Sequence, residues 1–272
     1  MNRLVVYLIL VPAIIFGNVT SPFNYDLKIQ EIPGSESRTL ICMHGLGMNY
    51  KFGEELKEKL ATDSTIVSFN FPDYDLKSRK LGRKEVKIGT IDELLPALYV
   101  LKNKVVDQGL ESVDLYGFSA GGGALINTLA VLNGSKHDLE LKKIGIGSVE
   151  KRKILDAIER GVVILDTPLK SFEEVIALRG WSFKLQFLAS RYKKNGMRPI
   201  DSLSLLNGLK LNILVYFETP DEMLNNRDDA LFSEKLMQVN SDGQTTIVYG
   251  RDGGHFGFHK DLWAEHAKLM AL

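Results

Sequence analysis

The stretch DLYGFSAGGGALINTLA, residues 114–130, sets one serine among four glycines where a strand-like apolar run meets a helix-like one. Serine favours neither element, and each glycine inside one costs about 0.5–1 kcal/mol relative to alanine. Such a cost at one hydroxyl implies a backbone that must come close and turn sharply. Gly117-Phe118-Ser119-Ala120-Gly121 fits the pattern G-x-S-x-G. A strand just before and a helix just after would lift the Ser119 hydroxyl above a sheet edge, beside a helix N-terminus, as a nucleophile. The glycine spacings of nucleotide-phosphate loops, G-x-x-x-x-G-K-[ST] and G-x-G-x-x-G, are absent.

A serine nucleophile needs a base, and imidazole takes its proton at neutral pH. Five histidines occur in the chain. In DGGHFGFH (252–259), His255 follows the last predicted strand, with Gly253 and Gly254 freeing the loop before it. His259 is the alternative base, and His266 falls on one face of a terminal helix. An acid would hold the histidine tautomer and stabilise the imidazolium. Asp221, at the start of the loop DEMLNNRDD between a strand and a helix, is one candidate. Glu222 and Asp228 in the same loop, and Asp166 one strand earlier, are the alternatives.

The positioning elements follow from periodicity. RTLICM (38–43), STIVSFN (64–70), SVDLYGF (112–118), GVVILDT (161–167), LNILVYF (211–217) and QTTIVYG (244–250) are short runs rich in β-formers. Apolar on both faces, they suit strands of a covered parallel sheet. Helical patterns lie between them, including IDELLPALYVLKNKVVDQG, ALINTLAVLNG, EKRKILDAIERG and ALFSEKLMQV, and Gly109 and Gly134 stand where C-caps are expected. Alternating strands and helices predict an α/β fold, a mostly parallel sheet flanked by helices.

With these residues in place the chain resembles the α/β-hydrolase family, of serine esterase and lipase type, over roughly residues 38–272. The resemblance implies the chain order Ser–acid–His, met by Ser119, Asp221 and His255, and an acyl-enzyme mechanism. It also implies an oxyanion hole of two backbone N–H groups. Ala120, after the nucleophile, supplies one. Met43-His44-Gly45-Leu46 resembles the family's HG motif, which assigns the other to Leu46 and leaves His44 structural. The segment 169–210, with Phe172, Trp181 and Phe187, falls where this fold often inserts a cap, although an ordinary packed helix pair fits it equally. Lys193, Lys194 and Arg198 beside it read as a solvated face or as a contact for an anionic group.

Bulk properties narrow the rest. The chain has 272 residues, 44% hydrophobic and 25% charged, with 34 basic and 34 acidic residues balancing to zero. No basic stripe favours nucleic acid as a partner. The single cysteine, Cys42, excludes an intrachain disulfide and reads as a small buried hydrophobe. Neither a cofactor nor a metal is implied; the partner expected is a small-molecule or lipid ester.

At the N-terminus, Met1-Asn2-Arg3 precedes about 14 apolar residues, fewer than the roughly 20 that span a bilayer. Residues 1–21 are therefore expected to be a signal peptide or an uncleaved membrane anchor, and residues 25–272 a single domain that is secreted or periplasmic. A buried N-terminal helix is the other reading. Hydrolysis of carboxylic esters is the expected activity. A peptidase or amidase on the same triad, and a non-catalytic binding module on the same fold, are the alternatives.

Overall fold

The computed structural model describes residues 27–60, 62–71, 74, 88–171, 196–218, 221, 224, 228–250 and 254–255, together with the backbone of 15–18. Eight strands form one sheet in the order β1-β2-β4-β3-β5-β6-β7-β8. They are β1 (Ile15–Asn18), β2 (Lys28–Ile32), β3 (Thr39–Met43), β4 (Thr65–Phe69), β5 (Asp114–Phe118), β6 (Val162–Asp166), β7 (Asn212–Glu218) and β8 (Gln244–Gly250). From β4 through β8 every neighbouring pair is parallel, whereas β1 and β2 join antiparallel at one edge.

Sequence pattern and position in the sheet agree. The strands TLICM, DLYGF and VVILD, at the centre, are buried at every residue. Parallel strands covered by helices on both faces have no solvent side, so apolar residues dominate them without alternation. Alternate residues feed two separate cores. Ile41, Met43, Leu115, Val163 and Val215 face one, and Leu40, Cys42, Tyr116, Ile164 and Leu214 the other. Cys42 is a free thiol within that second core.

Seven α-helices are described: α1 (Phe52–Leu60), α2 (Ile91–Leu101), α3 (Ala120–Asn133), α4 (Asp138–Lys143), α5 (Ser148–Glu159), α6 (Pro199–Ser202) and α7 (Asp229–Val239). A π-helical stretch, Lys102–Asp107, continues α2. Of these, α3 is buried from Ala120 to Leu132, so it is apolar all round rather than amphipathic. Gly109 has φ +76, the left-handed turn expected at the end of the α2 segment. Gly134 departs from that expectation: it closes α3 in an extended conformation, φ −89 and ψ 176.

The antiparallel edge lies outside the six expected strands, and part of it falls within residues 1–21. Ile15–Asn18 pairs with Lys28–Glu31. Among the described residues, no helix is long and apolar enough to cross a membrane. Between β3 and β5 the strand order reverses direction, because β3 leads to β4 on one side while β5 begins the run on the other. Such a switch point opens a crevice at the carboxyl ends of the strands.

Candidate active site

Ser119 stands in that crevice, between β5 and α3, with φ 51 and ψ −118. A non-glycine residue rarely takes a positive φ, and here it lets the chain reverse from strand to helix in one residue. The flanking glycines are required by space. A Cβ on Gly117 would lie 2.7 Å from the Gly122 Cα, and one on Gly121 would lie 2.1 Å from the Met43 carbonyl oxygen. The backbone then locks the turn. The Ser119 N–H donates to the Asp166 carbonyl at 2.9 Å, and its own carbonyl accepts from the Leu169 N–H at 2.8 Å. A second positive φ on a non-glycine residue occurs just after β6, at Thr167, φ 42, whose N–H donates to the Tyr216 carbonyl at 2.8 Å. For a β-branched residue this is a true outlier, the kind that clusters at functional sites.

His255 comes to Ser119 from the loop after β8, where Gly254 has φ +62. Its Nε2 lies 2.9 Å from Ser119 Oγ, and its Nδ1 lies 2.8 Å from Asp221 Oδ2. The imidazole is buried and packs against the Phe118 ring, centroids 5.3 Å apart. Asp221 is equally enclosed, with 3% of its side chain exposed. Its Oδ1 accepts the Leu224 N–H at 2.7 Å, so one carboxylate oxygen is pinned to the loop while the other faces the imidazole. With Nδ1–H donating to the carboxylate, Nε2 is left to accept the serine proton.

The other acids sit elsewhere. Asp228 occupies the cap position of α7. Glu222, His259 and His266 lie outside the described residues, as does most of the segment 169–210 with Phe172, Trp181, Phe187, Lys193 and Lys194. Arg198 is described, and it pairs with Asp201 at 3.2 Å on a partly exposed helix end. Asp166 is buried behind the elbow, and its Oδ2 accepts the Tyr116 hydroxyl proton at 2.5 Å. Burial pushes the Asp166 carboxyl up to about 7; the Tyr116 bond pulls it down, while Glu218 and Asp221 push it further up. At neutral pH such a group holds its proton about half the time, which makes it a poor permanent anion for an imidazolium.

Opposite Ser119 lies the turn after β3. Gly45 abuts the elbow: a Cβ there would meet the Phe118 ring at 3.0 Å and Ser119 Cβ at 3.3 Å. Neither the Leu46 nor the Ala120 N–H donates a hydrogen bond among the described residues. Ala120 begins α3, where amides have no partner within the helix and the macrodipole favours negative charge. His44 is buried and turned away from catalysis. Its Nε2 accepts the Phe71 N–H at 3.3 Å, so Nδ1 carries the proton and donates to the Gly45 carbonyl at 2.9 Å. Among the described residues, no group of three or more His, Cys, Asp or Glu is placed to hold a metal ion.

Comparison with solved structures identifies the fold. A carboxylesterase from Lactobacillus plantarum superposes with a TM-score of 0.63 at 11% identity, covering 95% of each chain. An esterase from Thermogutta terrifontis, solved with butyrate bound, gives 0.61 at 15% identity, covering 96% of this chain and 92% of that one. A dienelactone hydrolase from Anabaena variabilis gives 0.53 at 16% identity and 95% of each chain. This chain has the α/β-hydrolase fold. No family model matches the sequence, and no curated protein is significantly similar to it, so the likeness lies in the fold.

Several residues of the site were silent in the sequence. Tyr74, Glu93, Thr167, Glu218 and the buried pair Lys170–Asp229 bear on the elbow or the acid loop only through tertiary contacts. Lysine is almost never fully buried without a partner, so nothing in the sequence at Lys170 announces its place. Lys170 is 2% exposed and lies 5.6 Å from the centre of the Phe217 ring.

Proposed function

We propose that this chain is a serine hydrolase of carboxylic esters. Ser119 is the nucleophile, His255 the general base and then acid, and Asp221 the group that orients the imidazole. The observation that carries this reading is the unbroken relay from Ser119 Oγ through His255 to Asp221, with both links between 2.8 and 2.9 Å. The esterase neighbours in fold space agree with it.

In the forward step His255 Nε2 takes the Ser119 proton as Oγ forms a bond to the acyl carbon. The carbonyl electron pair moves onto oxygen, and the Leu46 and Ala120 N–H groups receive that charge. Collapse expels the alcohol, which leaves with the proton from Nε2, and an acyl-Ser119 ester remains. Water repeats the sequence and releases the carboxylic acid. Asp221 stays ionised throughout and stabilises the imidazolium.

The test is a panel of p-nitrophenyl esters of increasing acyl length beside matched anilides, with wild type and Ser119→Ala. Ester turnover that vanishes in Ser119→Ala supports the reading. Anilide turnover faster than ester turnover would make the chain an amidase, and no turnover of either would make it a binding module. We further propose that residues 1–21 direct export; a fusion of that segment to a reporter secreted only with a functional leader tests it.

A further inference from the structure

Tyr74 and Glu93 take no part in the proton relay, and both are buried. Tyr74 contacts both segments that carry the amides assigned to the oxyanion, and Glu93 contacts Tyr74. The turn that carries Leu46 is closed by a Met48 N–H donating to the Gly45 carbonyl at 3.2 Å, with Gly47 at φ +85. A glycine of positive φ at the third of four residues marks a type II turn. Such a turn fixes its own shape but not its distance from α3.

Tyr74 supplies that distance. Its carbonyl accepts the Gly47 N–H at 2.8 Å, one residue from Leu46. Its hydroxyl donates to Glu93 Oε1 at 2.6 Å and lies 3.2 Å from the carbonyl oxygen of Ala120, the residue whose N–H is the second donor. A hydroxyl-to-carboxylate bond of this length is in the range of charge-assisted contacts, stronger than neutral ones. Glu93 is itself held. Its Oε2 accepts the Gly89 N–H at 2.5 Å, and it sits in the first turn of α2, where the helix dipole favours a carboxylate. Gly89 in turn accepts the Met197 N–H at 2.7 Å. Around the phenol the fit is aromatic: Tyr74 stacks on Phe71 at 4.7 Å and meets the His44 ring edge-on at 5.6 Å.

We propose that Tyr74 and Glu93 are positioning residues for the oxyanion hole, the phenol and the carboxylate together holding the 45–48 turn at a set distance from the first residue of α3. This assignment rests on the hydrolase reading above. Oxyanion donors act only when aimed at the place where the charge develops. A brace that reaches the neighbour of one donor and the carbonyl of the other sets their separation without touching substrate.

Tyr74→Phe tests it, because the ring and its packing stay and only the hydroxyl goes. Misaimed groups cost up to about 100-fold in rate, so kcat is expected to fall about 10- to 100-fold while KM stays within about twofold. Affinity for a trifluoromethyl ketone, whose adduct carries a charged oxygen into the hole, should fall by the same factor as kcat. Binding of uncleaved ester to Ser119→Ala should be the same with or without Tyr74→Phe. Glu93→Gln keeps one oxygen acceptor but loses the charge, and a smaller fall with the same pattern is expected; it carries the test alone should Tyr74→Phe not fold. Unchanged kcat in the variants that fold would overturn the proposal. So would a fall in kcat with a matching rise in KM, or one with inhibitor affinity intact. If Ser119→Ala still hydrolyses esters, the hydrolase reading fails first. If Ser119→Ala is inactive and Tyr74→Phe equals wild type, only the positioning role is lost.

Discussion

Asp166 closes β6, and Asp221 follows β7, the next strand of the sheet, by three residues. Both are buried, yet their surroundings differ in kind. Asp221 receives a backbone N–H from Leu224 on one oxygen and faces the His255 ring with the other. Hydrogen bonds to the charged form favour an anion. Asp166 meets a phenol, a dry environment and two further carboxylates, Glu218 and Asp221, and its carboxyl is pushed up to about 7. Two acids of the same type, one strand apart, thus sit in surroundings that differ in what they offer a negative charge. Position along the chain makes either a candidate for orienting the histidine; the partners decide between them.

The largest effect is expected on the anionic side of this contrast. Asp221→Asn keeps the shape but offers the imidazole the wrong hydrogen-bonding partner, and turnover should fall about 10⁴-fold, as for the equivalent change in another serine hydrolase. Steady-state ester hydrolysis measures it. Asp166→Asn places an amide where a carboxyl that is neutral about half the time sits away from the imidazole, so turnover should change by no more than about threefold. Reversal of that ranking would exchange the roles of the two aspartates.

Stability separates them as well. Asp166 keeps its proton in the folded state up to about pH 7, whereas an unfolded chain releases it near 3.8. Between those values the native state binds more protons, so this group's contribution to stability is full below 3.8 and declines as pH rises to about 7. Asp166→Asn should flatten that part of the profile and make the protein relatively more stable at alkaline pH. Urea unfolding at a series of pH values reads it; a profile identical to wild type would contradict the assignment. Tyr116→Phe acts in the same window by a smaller amount. It removes the bond that holds Asp166 down, so the decline should extend to higher pH.

Much of the frame was legible because local pattern and global position coincide there. The runs at 38–43, 112–118 and 161–167 are mostly apolar because the strands within them are buried at every residue. The elbow was legible for a harsher reason: a Cβ at Gly117 or Gly121 collides with backbone, so only one pattern fits. KIQEI, which forms β2, was not legible. Second from the edge of the sheet, it leaves residues such as Lys28 facing solvent, so the apolar run that marks the central strands is missing. Nor could residue type say which aspartate holds a proton, since that depends on Tyr116 from β5 and Glu218 from β7. The Tyr74–Glu93 contact spans 19 positions and a helix start, with no periodicity to announce it.

The smallest effect lies at the opposite edge of the sheet. Removing residues 1–21 deletes β1, whose Ile15–Asn18 pairs with β2, while β2 keeps its partner β4. Edge segments near a terminus tolerate such loss, and ester turnover is expected within about twofold of the full chain. Loss of soluble, folded protein would instead place the segment among the elements the fold requires.

Covalent capture of the acyl or phosphonyl group tests the central claim most directly. The full chain is treated with a fluorophosphonate, digested, and the peptide carrying residues 112–134 is examined by mass spectrometry. A single adduct on Ser119, formed as ester hydrolysis is lost and absent in Ser119→Ala, is the predicted result. Hydrolysis that persists with Ser119 unmodified, or inactivation through an adduct at any other residue, would contradict the assignment.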